Sequence, residues 1–124
     1  MPSLIADDSE VIRMIVRKAL QIYGYENVLE AKDGDEALSY VQTKKEQIQL
    51  CVIDVNMPNM DGIELTEEIR KILPEVPIIM LTTETAKQKI SMARDKGANG
   101  WVVKPFETEK FMKMLELLLK PKTA

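Results

Sequence analysis

Polar side chains that could bind a cation or handle a phosphoryl group follow directly on short apolar runs at four places in the chain. They are Asp7, Asp8, Asp54, Thr82 and Lys104. Asp54 ends an apolar run that begins at Leu50 and precedes a loop rich in Asn, Pro and Gly. A carboxylate that ends a buried strand lies at the rim of the core, where open α/β sheets bind ligands. The chemistry of this chain therefore depends on which of these groups meet there.

The elements that position these residues are indicated by the spacing of the apolar residues. Short extended runs alternate with amphipathic segments of helical periodicity along the whole chain. The predicted strands cover about residues 4–6, 28–31, 49–54, 78–81 and 101–103. This alternation is typical of βα units, and it predicts a parallel sheet with right-handed crossovers and helices on both faces. We expect residues 1–124 to form one α/β domain.

Capping and breaking residues mark the ends of the predicted helices. Ser9 or Asp8 could cap the first helix, which Gly24 would end, and Asp61 occupies an N-cap position before the third. Thr108 is expected to cap the last helix. The fourth helix has only a thin apolar stripe, formed by Ala86, Ile90 and Ala93. We therefore expect the fourth helix to be the most weakly held.

Parallel strands bring their carboxyl ends to one edge of a sheet, so the polar residues named first are expected to converge there. Asp7, Asp8 and Asp54 would repel one another and raise one another's pKa unless a cation were present. Their three negative charges would be balanced by a divalent ion together with Lys104. Taken alone, the acid pair is more often a helix cap and Lys104 a surface charge, but the joint arrangement favours a cation site.

The expected cation is Mg²⁺, because every candidate ligand is an oxygen atom. Mg²⁺ prefers a few carboxylates plus water and leaves positions for phosphoryl oxygens, whereas Ca²⁺ requires more protein ligands than the sequence offers. A metal, a lysine and a hydroxyl around a remaining carboxylate indicate phosphoryl transfer onto Asp54 as the nucleophile, which makes an acyl phosphate.

Composition excludes several other classes of function. The 124 residues carry a net charge of −3, which gives no reason to expect nucleic acid or an anionic membrane as a partner. The chain contains no histidine, so it lacks an imidazole base or a phosphate carrier of its own. Cys51 is the single cysteine and lies within an apolar run, which predicts a buried thiol in a reducing compartment. With no apolar run long enough to span a bilayer, we expect a cytoplasmic protein, and a monomer.

Together, Asp7-Asp8, Asp54, Thr82 and the tripeptide Lys104 to Phe106 resemble the receiver domain of two-component response regulators. The resemblance covers essentially the whole chain. We expect no output module after the last helix, so the chain most resembles the stand-alone, CheY-like regulators of chemotaxis. The resemblance implies a doubly wound, flavodoxin-like three-layer α/β/α fold with five helices and the strand order 2-1-3-4-5.

The resemblance also implies specific roles in metal binding and phosphorylation. Asp54 would accept a phosphoryl group from a separate histidine kinase, which fits a chain without histidine. Asp8, Asp54 and the backbone carbonyl of Asn56 would hold Mg²⁺, and Asp7 would act through water. The protein would then be a phosphoacceptor that assists its own phosphorylation and dephosphorylation, without being a turnover enzyme.

Further implied roles concern the phosphoryl group and the conformational switch. Lys104 would contact a phosphoryl oxygen, aimed by a cis peptide before Pro105, and Thr82 would hydrogen-bond the phosphoryl group. Asn56 and Glu84 would tune the hydrolysis of the acyl phosphate. Trp101 occupies the aromatic switch position, although an ordinary core residue is an equally good explanation of its pattern.

The expected partners are other proteins. A histidine kinase would donate the phosphoryl group, and a target such as the flagellar motor switch would bind a readout face made of the fourth helix, the fifth strand and the fifth helix, including Lys87 and Trp101. A phosphatase is a further candidate partner, and a phosphorelay intermediate or a phosphate sink are alternative roles.

Three other functions fit parts of the pattern. An aspartyl-phosphate phosphatase would need a second acid two residues after Asp54, where the chain has Asn56. A flavin-binding module of the same fold would need a phosphate-binding loop rich in Ser, Thr and Gly, which is not evident. A docking domain that works without phosphorylation remains an alternative that the sequence does not exclude.

Overall fold

A computed structural model describes residues 2–44, 47–83, 88–104 and 107–119. Its sheet consists of β1 (Ser3–Ala6), β2 (Val28–Ala31), β3 (Leu50–Asp54), β4 (Ile78–Thr83) and β5 (Gly100–Lys104). All neighbouring strands pair in parallel, in the order β2-β1-β3-β4-β5. The predicted fold class and strand order are confirmed.

Helices cover both faces of this sheet. They are α1 (Glu10–Ile22), α2 (Gly34–Lys44), α3 (Gly62–Ile72), α4 (Lys89–Asp95) and α5 (Thr108–Leu118). One apolar cluster packs α2, α3 and α4 on one face, and a second packs α1 and α5 on the other. No helix in the described part of the chain has both the length and the apolar character that crossing a membrane requires.

The central strand β3 is apolar on both sides because both faces of the sheet are covered. Cys51 and Ile53 belong to the cluster under α2, α3 and α4, while Leu50 and Val52 belong to the cluster under α1 and α5. Burial raises the pKa of the Cys51 thiol to about 12, so this residue is an inert core side chain, as predicted. Asp54 therefore stands at the end of a strand that is fixed by packing on both sides.

Helix ends follow the capping signals with one exception. Ser9 caps α1 by accepting a hydrogen bond from the Ile12 amide at 3.3 Å, and Asp61 caps α3 by accepting from the Glu64 amide at 2.9 Å. The prediction that Thr108 caps α5 is wrong. Glu107 adopts the extended backbone of the N-cap position, without a side-chain cap hydrogen bond, and Thr108 is the first residue of the helix.

Over the described residues, helix α4 is the shortest of the five helices, and it buries Ala93. Ile90 is half-buried, and Ala86 lies outside the described residues. The thin apolar stripe predicted for this helix is therefore present over the part that the structure describes, and a weak attachment of α4 stays a prediction.

Candidate functional site

Three carboxylates meet at the carboxyl edge of the sheet. One oxygen from each of Asp7, Asp8 and Asp54 lies within 4.8 Å of the other two. The cause is topological, because β1 and β3 are neighbours and Ala6 pairs with Ile53, so the residues that follow them lie side by side. Asp7 and Asp54 are buried, whereas Asp8 is exposed. The predicted convergence of these acids is confirmed, and the cluster opens to solvent on the Asp8 side.

Lys104 bridges the two buried carboxylates. Its Nζ lies 2.7 Å from Asp7 Oδ2 and 3.2 Å from Asp54 Oδ2. The lysine ends β5, which is separated from β3 by β4, so its long side chain extends past the end of β4 to reach Asp54 and, beyond it, Asp7. The lysine predicted from the sequence is thus part of the site, and its ammonium group is shared by the carboxylates of Asp7 and Asp54.

The start of α3 is pressed against the end of β3. A Cβ atom at Gly62 would lie 2.2 Å from the carbonyl oxygen of Asp54, so only glycine permits this approach. The Gly62 amide also donates to the Val55 carbonyl at 2.8 Å. The backbone that carries Asp54 is therefore held by the helix that follows the loop.

Thr82 is fully buried at the same edge of the sheet, on β4 between the strands of Asp54 and Lys104. Its hydroxyl donates a long hydrogen bond of 3.4 Å to the Thr83 carbonyl. A bond at this limiting length is weak, so little free energy opposes a change of partner for this hydroxyl. Its predicted contact with a phosphoryl group stays a prediction.

Burial and, next, the negative charge of Asp7 raise the pKa of Asp54 to about 6, against the opposing effects of Lys104 and the Asn56 amide. Burial lowers the pKa of Lys104, but its hydrogen bond to Asp7 and the charge of Asp54 outweigh this effect and raise it overall. One lysine lies between two buried carboxylates, so negative charge is in excess there, and this excess contributes to both raised pKa values.

The cluster fits a hard divalent cation. Its donors are carboxylate oxygens, which are the ligands that Mg²⁺ prefers. Asp7 already accepts hydrogen bonds on both oxygens, from the Ser9 amide at 2.8 Å and from Lys104 at 2.7 Å. Asp8 and Asp54 are therefore the carboxylates best placed for direct coordination, and a cation would remove the excess negative charge.

Asn56 lies in the loop after Asp54 and makes two contacts that concern the site. Its amide donates to Asp54 Oδ1 at 3.3 Å, and its side-chain oxygen accepts from Lys89 Nζ at 3.3 Å. Lys89 is the first residue of α4, so this contact links α4 to the site loop. No sequence signal marked Lys89, because a local pattern does not pair a loop residue with the first residue of a distant helix.

Trp101 lies on β5 at the surface, with 37% of its area exposed, so the explanation of this residue as ordinary core is wrong. The Arg94 guanidinium stacks over its ring at 5.2 Å from the centroid, a cation–π contact between α4 and β5. A small cavity of about 10 Å³ is lined by Trp101 and, among others, by Ile90, Ala93 and Ala98. Arg94 was not predicted from the sequence, although it follows Ile90 by one helical turn on α4.

Some predicted residues cannot be placed. Glu84, Lys87, Pro105 and Phe106 lie outside the described residues, and so does the predicted cis peptide before Pro105.

Comparison with known proteins identifies this arrangement. Residues 3–116 match the response regulator receiver domain family. The chain belongs to this family. Its strand order, β2-β1-β3-β4-β5, is the one that the family resemblance implied.

Named relatives of this receiver domain include chemotaxis proteins. It is 39% identical to the chemotaxis protein CheY homolog of Campylobacter jejuni, over 96% of this chain and 92% of that protein. It is 37% identical to chemotaxis protein CheY1 of Helicobacter pylori, over 96% of this chain and 97% of that protein.

Solved structures agree with this placement. The chemotaxis response regulator CheY4 of Vibrio cholerae superposes with a TM-score of 0.85 at 41% identity, over 95% of this chain and 98% of that one. The receiver domain of NtrX from Brucella abortus gives a TM-score of 0.85 at 27% identity, over 98% and 99% of the two chains.

Proposed function

We propose that this receiver domain is a phosphorylation-controlled switch of a two-component system, in which Asp54 accepts a phosphoryl group from a histidine kinase. The observation that carries the proposal is the cluster of Asp7, Asp8 and Asp54. One carboxylate oxygen of each lies within 4.8 Å of the other two, and Lys104 bridges Asp7 and Asp54. A buried acid with a shared lysine and a divalent cation is suited to phosphoryl transfer, which depends on position and charge neutralisation.

In the proposed step, a carboxylate oxygen of Asp54 attacks the phosphorus atom of a phosphohistidine. The P–N bond breaks, its electron pair remains on the imidazole, and Asp54 becomes an acyl phosphate. Lys104 neutralises a phosphoryl oxygen, and the Thr82 hydroxyl exchanges its weak bond to Thr83 for one to the phosphoryl group. The protein is then a phosphoacceptor and not a turnover enzyme.

The cofactor that fits the site is Mg²⁺. Asp8, Asp54 and the carbonyl of Asn56 would hold it directly, with Asp7 acting through water, and it would neutralise charge on the phosphoryl oxygens. Asn56 and Glu84 tune the hydrolysis of the acyl phosphate. An aspartyl-phosphate phosphatase is disfavoured, because the position two residues after Asp54 is an amide, which cannot act as a general acid or base.

The proposed pathway is chemotaxis in the cytoplasm. The support is similarity to proteins named for chemotaxis in Campylobacter jejuni and Helicobacter pylori. The target is a protein, such as the flagellar motor switch, that binds the face formed by α4, β5 and α5. Trp101 is exposed on this face and offers apolar surface to such a partner.

Phosphorylation is tested by incubating the purified protein with Mg²⁺ and acetyl phosphate and locating the adduct by mass spectrometry. We expect one phosphoryl group on Asp54 and none on the Asp54→Asn variant. Absence of an adduct, or an adduct on another residue, would contradict the proposal.

The readout is tested separately by amide hydrogen exchange in α4, with and without a stable phosphoryl mimic. We expect exchange in α4 to change, because this helix buries few side chains and contacts Asn56 through Lys89. Unchanged exchange would refute the readout face while leaving the phosphorylation of Asp54 intact.

A further inference from the structure

Arg13 connects the acid pair to the rest of the molecule through the backbone. Its Nη1 donates to the carbonyl oxygen of Asp7 at 2.6 Å, and its Nε donates to Glu30 Oε1 at 3.1 Å. Arg17, one turn later on α1, donates to the other oxygen of Glu30 at 2.6 Å. The Arg13 side chain is only 15% exposed, so its guanidinium group is held between α1 and the edge strand β2.

Every other polar group of Asp7 has a partner of its own. The Asp7 amide donates to the Ala31 carbonyl at 3.0 Å, and its two carboxylate oxygens accept from the Ser9 amide and from Lys104. Arg13 completes this set by satisfying the Asp7 carbonyl. Each polar group of Asp7 therefore has a hydrogen-bond partner, and Arg13 is the partner of the peptide unit that joins Asp7 to Asp8.

The carbonyl of Asp7 belongs to the peptide unit that leads into Asp8. Because a peptide unit is planar, fixing its oxygen also fixes the direction in which the chain enters Asp8. Asp8 is exposed, so packing does not orient it. The bond from Arg13 is thus a means of holding the carboxylate of Asp8 toward Asp54.

We propose that Arg13, oriented by Glu30, is a positioning residue for the acid pair and sets the affinity of the site for a divalent cation. The inference rests on the proposed function, in which Asp8 is a Mg²⁺ ligand. Residues that orient metal ligands from behind commonly contribute about tenfold or more to metal affinity. A surface ion pair that merely ties β2 to α1 would contribute to stability alone.

Arg17 provides a matched control for this distinction. It has the same side chain on the same helix and donates to the same carboxylate, that of Glu30, but it makes no hydrogen bond to Asp7 within the described residues. A structural role of the ion pairs would affect Arg13 and Arg17 variants alike, whereas a positioning role would separate them.

The test is calorimetric titration of the full chain with Mg²⁺, with the free energy of unfolding measured for each variant. We expect Arg13→Gln to raise the Kd for Mg²⁺ by about tenfold, Arg17→Gln to leave it at the wild-type value, and Glu30→Gln to raise it by less than Arg13→Gln. Arg13→Lys, which keeps one donor for the carbonyl, should recover part of the affinity and serves if Arg13→Gln does not fold.

Wild-type affinity in Arg13→Gln, or an equal loss in Arg17→Gln, would overturn the inference. If the wild-type protein itself binds no Mg²⁺, the proposed function fails. The role of Arg13 is then tested by amide exchange in the metal-free protein. Exchange of the Ser9 amide, which bonds to Asp7 Oδ1, should then be faster in Arg13→Gln than in Arg17→Gln. Equal exchange rates would overturn the inference in that case.

Discussion

At the scale of single residues, Asp54 combines two properties that oppose each other. It must be buried to exclude water from the chemistry, and it must be charged to attack phosphorus. Burial and the neighbouring charge of Asp7 raise its pKa from 3.8 to about 6, and Lys104 offsets only part of this effect. In the metal-free protein the ionised Asp54 is therefore electrostatically destabilised, and a bound cation would reduce this destabilisation.

This cost predicts the pH dependence of stability. Because the folded state binds the Asp54 proton more tightly than the unfolded state, stability from this group is present below pH 3.8 and is lost as pH rises to about 6. We expect Asp54→Asn to increase the free energy of unfolding above that range by on the order of 2 kcal/mol. Urea unfolding in a chelator, across this pH range, gives the difference between the two proteins. A difference that does not change with pH would contradict the assignment.

Ser3 is a second residue with an electrostatic cost. Among the described residues, its hydroxyl is the buried side-chain polar atom without a hydrogen-bond partner. We expect Ser3→Ala to increase the free energy of unfolding by about 1 kcal/mol, since an unsatisfied buried group costs about that much. Thr66→Val is the control, because the Thr66 hydroxyl is buried but donates to the Gly62 carbonyl at 2.7 Å, so its loss should destabilise. A similar loss of stability in both variants would contradict the explanation.

At the scale of elements, Arg70 joins the end of α3 to the turn that follows α4. Its guanidinium donates to the Gly97 carbonyl at 3.0 and 2.8 Å, to the Leu73 carbonyl at 3.0 Å and to Asn99 Oδ1 at 2.8 Å. Asn99 Oδ1 also accepts from the amide of Ile78, the first residue of β4. One side chain therefore connects a helix, a turn and the start of a strand on the side of the sheet that carries α4.

Replacing Arg70 by Lys should decrease the free energy of unfolding by about 2 kcal/mol, because lysine cannot reproduce a planar fork with several donors. Lys71→Ala is the matched control, since Lys71 is exposed and pairs with Glu68 at 2.8 Å, a surface pair that contributes little. Chemical denaturation of both variants gives the comparison. If Arg70→Lys were as stable as Lys71→Ala, the proposed role of Arg70 in joining α3, the turn after α4 and β4 would be wrong.

At the scale of the whole molecule, the site is assembled from three strands. Asp7 and Asp8 follow β1, Asp54 ends β3 and Lys104 ends β5, so the cluster exists only when the sheet is complete. A ligand that binds this cluster binds the folded state and not the unfolded one. Mg²⁺ binding and global stability are therefore expected to be linked.

We expect added Mg²⁺ to raise the Tm of the wild-type protein and a chelator to reverse the change. The gain should approach about 2.7 kcal/mol at a concentration about 100 times the Kd. Asp8→Asn should lose most of this gain, while Asp35→Asn, an exposed acid on α2, should retain it. Differential scanning calorimetry with and without Mg²⁺ measures both. An equal gain in the two variants would show that Mg²⁺ acts elsewhere.

The sequence alone determined the alternation of strands and helices, because apolar periodicity and helix caps such as Ser9 and Asp61 are local signals. It also predicted that Asp7, Asp8 and Asp54 would meet, since parallel strands must present their carboxyl ends at one edge. The cap of α5 was misplaced by one residue, because Glu107 and Thr108 compete for the same role and only backbone geometry chooses between them.

Only the tertiary structure decided how charges are shared within the site. Lys104 and Asp7 are 97 positions apart, and no periodicity indicates that one lysine bridges two acids. The bond from Arg13 to the Asp7 carbonyl and the surface position of Trp101 are equally invisible in the sequence. Such contacts depend on side-chain conformations that distant elements select once they have packed together, and a linear pattern carries no information about that choice.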